Sequence, residues 1–466
     1  MMAELNQNTA SDAEHGTSHK KYDDAATRLQ KVLRGNCQSG KGGTYAVCSA
    51  HPAVIEAAIQ QSLADGSFLH VESTSSQVNQ FGGYTGSTPS QFAEWIHSAA
   101  TKAGLPAGQV LLGGDHLGPF PWRNEPSVSA LEKARKLVGD CVTAGYQKIH
   151  FDASMACADD AETGIPEQTI AERAATLCQA AEEAYRKLPS GSPRPVYVVG
   201  TEVPAPGGES HDTGVLPVTK AGDVHRTLEV FRHVFAELDL ESAWERVIAL
   251  VVQPGVDFGS NSIVDYDRGK AASLSAALSS HPGIVFEAHS TDYQSPQALT
   301  RMVEDHFAIL KVGPWLTFAF REAVLALSAM ERELFKKTSA CRISQVRQAL
   351  EAAMLRDPSH WRSYYHGDED EVRRDLIYGY SDRCRYYWNQ PAVQEEIGRL
   401  LDNIRAKPIP LILISQYLPL EYEAIRTGEL PAAPERMIQY HIRRVLRVYA
   451  DACAVNQAAW QFVTSR

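Results

Sequence analysis

Val110-Leu111-Leu112-Gly113-Gly114-Asp115-His116 is an apolar run that ends in two glycines, a carboxylate and an imidazole. So short a run reads as a strand buried on both faces, and its polar tip belongs at the strand's end. Seven more runs repeat the pattern: Ala46-Val47-Cys48-Ser49, Phe68 to Glu72, Ile149-His150-Phe151-Asp152, Val196 to Glu202, Val247 to Gln253, Ile284 to His289 and Phe307 to Lys311. Between them lie helical stretches such as Pro52 to Leu63 and Pro126 to Val142, the second with Leu131, Ala134, Leu137, Val138 and Cys141 at helical spacing. Eight strands alternating with helices predict a (β/α)8 TIM barrel, in which the carboxyl ends of all the strands meet at one mouth.

The chain has 466 residues, well beyond the roughly 250 of one barrel. The expected layout is a flexible polar tail over residues 1–22, the barrel over 23–330 and a C-terminal helical extension over 331–466. In the extension Val372, Leu376, Tyr380, Cys384 and Trp388 fall four apart and predict one amphipathic helix from Glu371 to Trp388. Arg373, Arg374, Arg383 and Arg385 lie off that stripe, as a solvated basic face or as arginines that reach a ligand phosphate or a partner. A net charge of -11 argues against a broad nucleic-acid or anionic-membrane surface. Eight cysteines without Cys-x-x-Cys spacing read as reduced thiols. With no apolar run long enough to span a membrane and no secretion-type start, a cytoplasmic location is expected.

Gly35-Asn36-Cys37-Gln38-Ser39-Gly40-Lys41 fits seven positions of a phosphate-binding loop, but Gly42 stands where Ser or Thr should hold magnesium. A helix precedes the motif and a strand follows it, the reverse of what such a loop needs. ATP is therefore not expected, and the lack of a Gly-x-Gly-x-x-Gly fingerprint removes NAD as well.

The strand ends suggest a site. His116 on strand three, His289 on strand seven and Glu202 on strand five make a ligand set for a divalent metal, with zinc the expected ion and one position open. Asp115, Asp152 and Glu209 are the candidate catalytic carboxylates, and Glu72, Ser73 and Gln77 suit a polyhydroxylated ligand. Gln253 closes strand six. The alternative for Asp152 and Glu72 is capping of the next helix. Lys311 and the backbone around Gly313 suit a phosphate, whereas Asp292 in the preceding loop does not. His51, His150, His225 and His366 read as structural or surface residues.

These residues carry a resemblance to the GatZ/KbaZ family, the Z-type subunits of D-tagatose-1,6-bisphosphate aldolase, formerly labelled tagatose-6-phosphate kinases. It rests on Val47-Cys48-Ser49-Ala50-His51-Pro52, Gly113-Gly114-Asp115-His116-Leu117-Gly118-Pro119, Lys148-Ile149-His150-Phe151-Asp152, Gly200-Thr201-Glu202-Val203-Pro204 and Leu310-Lys311-Val312-Gly313-Pro314. It continues through Tyr364-Tyr365-His366-Gly367-Asp368, Ser381-Asp382-Arg383 and Ile414-Ser415-Gln416-Tyr417, spanning about residue 24 to about 450. That family is similar to class II fructose-bisphosphate aldolases, barrels with three histidines on zinc. Asp115-His116 and His289 match two of those ligand positions. Gln253-Pro254-Gly255 stands where strand six should offer a histidine, and Ser290-Thr291-Asp292-Tyr293 replaces the phosphate loop.

The resemblance implies carbohydrate catabolism with a sugar or sugar-phosphate ligand. One role is an accessory subunit beside a separate catalytic class II aldolase chain. The alternative is an autonomous ketohexose 4-epimerase or aldolase, in which a metal polarises the C2 carbonyl while Asp115 or Glu209 moves the C4 hydroxyl proton. A tagatose-6-phosphate kinase is the least supported, and homo-oligomerisation stays open.

Overall fold

The computed structural model describes residues 23–161, 164–201, 216–336 and 342–455. The tail over 1–22, Glu202 and Glu209 lie outside the described residues.

Eight parallel strands close into a barrel: β1 Thr44–Val47, β2 Leu69–Thr74, β3 Val110–Leu117, β4 Lys148–Phe151, β5 Val196–Gly200, β6 Val247–Val252, β7 Val285–Ala288 and β8 Phe307–Val312. Their order around the barrel is β1-β8-β7-β6-β5-β4-β3-β2. Sequential neighbours joined through helices give the expected (β/α)8 TIM barrel. Helix α1 (Ala25–Ser39) precedes it, and the connecting helices are α2 Pro52–Asp65, α3 Pro89–Lys102, α4 Ser127–Thr143, α5 Glu167–Tyr185, α6 Ala221–Glu237, the short α7 Glu241–Trp244, α8 Arg268–Ala277 and α9 Pro296–Glu304. The strands are continuously apolar where they face the helices because both faces of a parallel sheet are buried.

The loop-like motif at Gly35–Lys41 is the end of α1, closed by Gly40 at a φ of 63°. A Cβ there would lie 2.7 Å from the carbonyl oxygen of Glu304, so this turn needs glycine. No phosphate cradle forms from it.

The chain leaves β8 through α10 (Pro314–Phe335) and continues as α11 Val346–Arg356, α12 Glu369–Tyr378, α13 Pro391–Ala406, α14 Leu411–Tyr417, α15 Pro419–Arg426 and α16 Pro434–Ala452. Helix α16 returns to pack on α10 and α2. One apolar core runs from the barrel helices into the extension, through Leu327, Trp388 and Leu446. None of the described helices is long and apolar enough to cross a membrane.

The single helix expected from Glu371 to Trp388 is corrected to two pieces. Helix α12 stops at Tyr378, and Arg383–Tyr386 forms a separate 3-10 turn. Asp382 enters that turn at a φ of 45°, held there by Arg321 Nη1 at 2.8 Å and the Thr317 hydroxyl at 2.5 Å. Gly379 ends the helix with extended backbone, and the buried ion pair fixes the turn after it. The break also carries Arg383 off the surface, so it belongs to no solvated face, whereas Arg373 and Arg374 are exposed.

Candidate metal centre at the barrel mouth

Alternate residues of a strand face opposite sides of the sheet, and several strands here place polar residues at every second inward position. These are His70 and Glu72 on β2, Lys148 and His150 on β4 with Asp152 just beyond, Glu287 on β7 with His289 beyond, and Lys311 on β8. They form two layers.

The lower layer is a set of ion pairs. Lys148 Nζ lies 2.7 Å from Glu72 Oε1 and 2.6 Å from Glu287 Oε2. Lys311 Nζ lies 3.0 Å from Asp115 Oδ1 and also pairs with Glu72. His70 Nε2 meets Glu72 Oε1 at 2.7 Å. Burial pushes the Lys311 ammonium down to about 8, and burial with the two lysines holds His70 neutral, well below its ordinary range.

The upper layer is three imidazoles, His116, His150 and His289, with ring centroids 4.8 to 5.3 Å apart. Each is tied at one nitrogen to a carboxylate. His116 Nδ1 meets Asp152 Oδ2 at 2.8 Å, His150 Nδ1 meets Asp115 Oδ1 at 2.9 Å, and His289 Nε2 meets Glu287 Oε1 at 3.0 Å. A carboxylate on one ring nitrogen fixes the ring and leaves the other nitrogen for a metal, the usual outer-shell device of histidine ligands. Of the other nitrogens, His116 Nε2 and His289 Nδ1 share a hydrogen bond at 3.2 Å, and His150 Nε2 is buried with no hydrogen-bond partner; His150 Nδ1 also accepts from His116 N at 3.2 Å. His150, expected to be structural, is therefore corrected to a member of the cluster.

The backbone is shaped for this. The register between β3 and β4 shifts between Gly114 and Leu117, and His116 takes a φ of 48°, rare for a non-glycine residue. A bulge re-aims the side chains of a strand end. Two glycines clear the way: a Cβ on Gly113 would lie 2.7 Å from Glu72 Cγ, and one on Gly118 only 1.6 Å from the carbonyl oxygen of Asp152.

Charge fits a divalent cation. Glu72, Asp115, Asp152 and Glu287 are four carboxylates facing two ammoniums, Lys148 and Lys311, which leaves two negative charges when the imidazoles are neutral. In the metal-free cluster, burial alone would push His116 down, but Asp115 and Asp152 outweigh it and lift it to about 9. Burial dominates at His289 and lowers it. Asp152 would rise on burial but is held at about 2 by its bond to His116.

Donor atoms of Asp115, His150, Glu287 and His289 lie within 4.8 Å of one another, as do those of Cys48, Glu72 and Asp115. The second set is already bridged by Lys311, and burial pushes the Cys48 thiol up to about 12, so it stays protonated. The first set, which leaves out His116, is the one compatible with a metal ion. Glu202, expected as third ligand, lies outside the described residues; among the described ones His150 adds a third imidazole to the cluster.

The cluster opens into a cleft of about 620 Å³, inside the usual range for small-ligand pockets. Asp115, His116, Gln77, His289, Lys311 and Gly313 line it. Other sequence candidates stand elsewhere. Glu72 is beneath the cluster and Asp152 behind His116. Ser73 Oγ pairs with the Tyr146 hydroxyl at 2.9 Å, and Gln253 Oε1 closes its own turn by accepting from Gly255 N at 2.7 Å. Sequence reasoning misses Lys148 and Glu287 and takes His150 as structural or surface, although all three alternate with apolar neighbours.

The expected phosphate position is taken from within. Asp292 Oδ1 accepts from Gly313 N at 3.0 Å and Trp315 N at 2.8 Å, capping the start of α10. Burial nonetheless raises this carboxyl to about 6.

The family model for the D-tagatose-1,6-bisphosphate aldolase subunit GatZ/KbaZ-like proteins matches residues 29–454. The chain belongs to this family. A solved structure of a probable tagatose 6 phosphate kinase from Sinorhizobium meliloti 1021 is 41% identical over 88% of this chain and 100% of that one, with a TM-score of 0.81. Two others are far more distant. A putative fructose-1,6-biphosphate aldolase from Coccidioides immitis is 13% identical over 82% of this chain and 98% of that one, with a TM-score of 0.40. The YdjI aldolase from Escherichia coli K12 is 11% identical over 83% and 100%, also at 0.40. Neither carries an argument about this GatZ/KbaZ-like site.

Proposed function

We propose that this GatZ/KbaZ-like chain is a metal-dependent enzyme of ketose chemistry, an aldolase or a C4 epimerase acting by retro-aldol cleavage. The observation that carries the reading is the set of three imidazoles, each tied at one nitrogen by a buried carboxylate. A purely structural subunit has no physical need for such an arrangement at the end of an open cleft.

His116, His150 and His289 would hold the ion. A bound divalent cation such as zinc supplies Lewis-acid polarisation of a ketose carbonyl. Asp115, in the cleft wall, takes the hydroxyl proton as the bond between C3 and C4 breaks and its electron pair passes to C3. Gln77, in the neighbouring loop after β2, orients a sugar hydroxyl. Asp152 and Glu287 hold the rings, and Lys148 and Lys311 keep the carboxylates beneath them charged and fixed. Re-addition to the other face of the aldehyde inverts C4 with no redox cofactor. Glu209 remains a candidate for the proton on the leaving side.

The second reading is the accessory subunit of a separate class II aldolase, favoured by the family and by the exposed apolar residues Leu411, Ile412, Tyr417 and Leu420 on α14 and α15. A cytoplasmic setting suits both. Carbon NMR of the zinc-loaded chain, incubated alone with tagatose 1,6-bisphosphate and with free fructose, separates them. Trioses or a C4-inverted ketose support the enzyme. Silence with both sugars, in folded metal-bound protein, moves the assignment to the accessory subunit.

A further inference from the structure

The 3-10 turn after α12 carries Tyr386 into the wall of the cleft, half-buried beside Arg383 and Arg385 of the same turn. The phenol oxygen accepts from Arg385 Nη2 at 2.9 Å, and the guanidinium carbons of Arg385 and Arg383 lie 4.5 and 4.9 Å from the centre of its ring. Two other elements clamp that ring. His360 stacks on it at 4.4 Å between centroids with an interplanar angle of 12°, and Tyr84, from the loop after β2, meets it edge-on at 4.7 Å. Among the described residues nothing accepts a hydrogen bond from the phenol itself, which leaves its proton to a ligand in the cleft.

The charges around the ring favour the phenolate. Burial opposes ionisation, but Arg383 and Arg385 outweigh it and hold Tyr386 below the ordinary tyrosine range. Tyr84 goes the other way, pushed up by burial and by Tyr386, and Tyr387 is raised to about 12 by burial and Asp357. Burial and the two arginines lower His360 against the pull of Asp357, so the stacked imidazole is neutral. Asp382 and Asp292 act on Arg385 but bond elsewhere, to Arg321 and to the start of α10, and neither bonds the phenol. Like groups driven apart by their surroundings mark an acid and base assignment. A phenol brought toward neutral pH and fixed in a cleft is suited to proton transfer.

We propose that Tyr386 is a catalytic acid of the ketose reaction, donating the proton that the C4 oxygen needs once the bond between C3 and C4 has re-formed on the other face. The role rests on the retro-aldol function proposed above. Asp115 takes the C4 hydroxyl proton as the bond breaks, and the electron pair passes to C3. After the aldehyde turns, that pair closes the bond again and the carbonyl electrons return to oxygen as an alkoxide directed away from Asp115. The Tyr386 hydroxyl protonates the alkoxide, and its phenolate stays on Arg385. Exchange with water through the open cleft restores both groups, with no oxidant or reductant involved. The barrel thus supplies one proton-transfer group and the extension the other.

Two measurements test this on the full zinc-loaded chain. Ultraviolet difference titration of wild type against Tyr386→Phe should show one tyrosinate forming below the ordinary tyrosine range, and Arg385→Met should move that step upward. With tagatose 1,6-bisphosphate or fructose, whichever the wild type converts, Tyr386→Phe should lower kcat by about a hundredfold or more and leave KM nearly unchanged. An acid must hold its proton, so wild-type kcat should fall as pH rises through the Tyr386 step, and Arg385→Met should shift that fall to higher pH. A step at or above the ordinary range, or wild-type turnover by Tyr386→Phe, would overturn the proposal and leave the metal-enzyme reading standing. Silence of the wild type sinks that reading and this role together. If Tyr386→Phe fails to fold, Arg385→Met decides: an alkaline limb unmoved from that of wild type refutes the assignment.

Discussion

The barrel interior and the wall built by the extension both concentrate charge at the same cleft, but they balance it in opposite ways. Inside the barrel, carboxylates and lysines interleave at 2.6 to 3.0 Å, and each imidazole of the trio has its own acid. On the wall, Arg383 and Arg385 find only carbonyls, hydroxyls and rings. The first region pairs its charges within the barrel. The second rests its cations on backbone carbonyls and aromatic groups.

The comparison breaks most visibly at the histidines. His116→Ala should abolish stoichiometric zinc uptake while the fold, followed by circular dichroism, stays near wild type. Zinc retained at one equivalent in that variant would remove the metal centre. Next in size, Lys148→Met leaves Glu72 and Glu287 facing each other without their ammonium, and urea unfolding at pH 7 should show a loss of about 3–5 kcal/mol. A near-neutral result would mean that the interior is not held by this pair.

Asp152→Asn tests whether the carboxylates position the rings. It should weaken zinc affinity about 10–100-fold in a chelator competition without unfolding the chain. An unchanged affinity would show that His116 is oriented by its backbone alone.

The smallest effect concerns the filled helix terminus. The folded-state value of Asp292, about 6, lies above the ordinary aspartate range. Stability from this group is therefore fully present at low pH and lost as pH rises through about 6. Asn can still accept from Gly313 and Trp315 yet cannot ionise. Asp292→Asn should gain relative to wild type between pH 4 and pH 8, by up to about 3 kcal/mol in thermal or urea unfolding. A difference that is flat with pH would show that the buried carboxyl is not the cause.

Much of this was legible in the chain. The eight apolar runs located the barrel strands to within a few residues, because a parallel sheet must bury both faces. Asp115, His116 and His289 were readable as strand tips. His150 was not, because it sits one turn of the pleat before the end of its run, where a lone histidine looks like a packed core residue. Read together, Lys148, His150 and Asp152 alternate with Ile149 and Phe151, a period-two signal that points all three inward. Arg383 was hidden for a different reason. A helical period across Tyr380 and Cys384 suggests continuity, but the helix ends at Gly379 and the contacts of Asp382 with Arg321 and Thr317 hold the turn that follows.

The seam of the barrel also bears on how the chain comes to be folded. Strand β1 pairs with β8, and Gly43 N donates to the carbonyl oxygen of Cys453 at 3.1 Å, so the first strand leans on the last helix. On a ribosome that partner emerges some four hundred residues later. The amino-terminal strands must wait with an open apolar edge, a state prone to aggregation when non-local pairing is slow. The seam is therefore completed only when α16 arrives, and a chain cut short of that helix is expected to leave the end of β1 and the face of α2 uncovered.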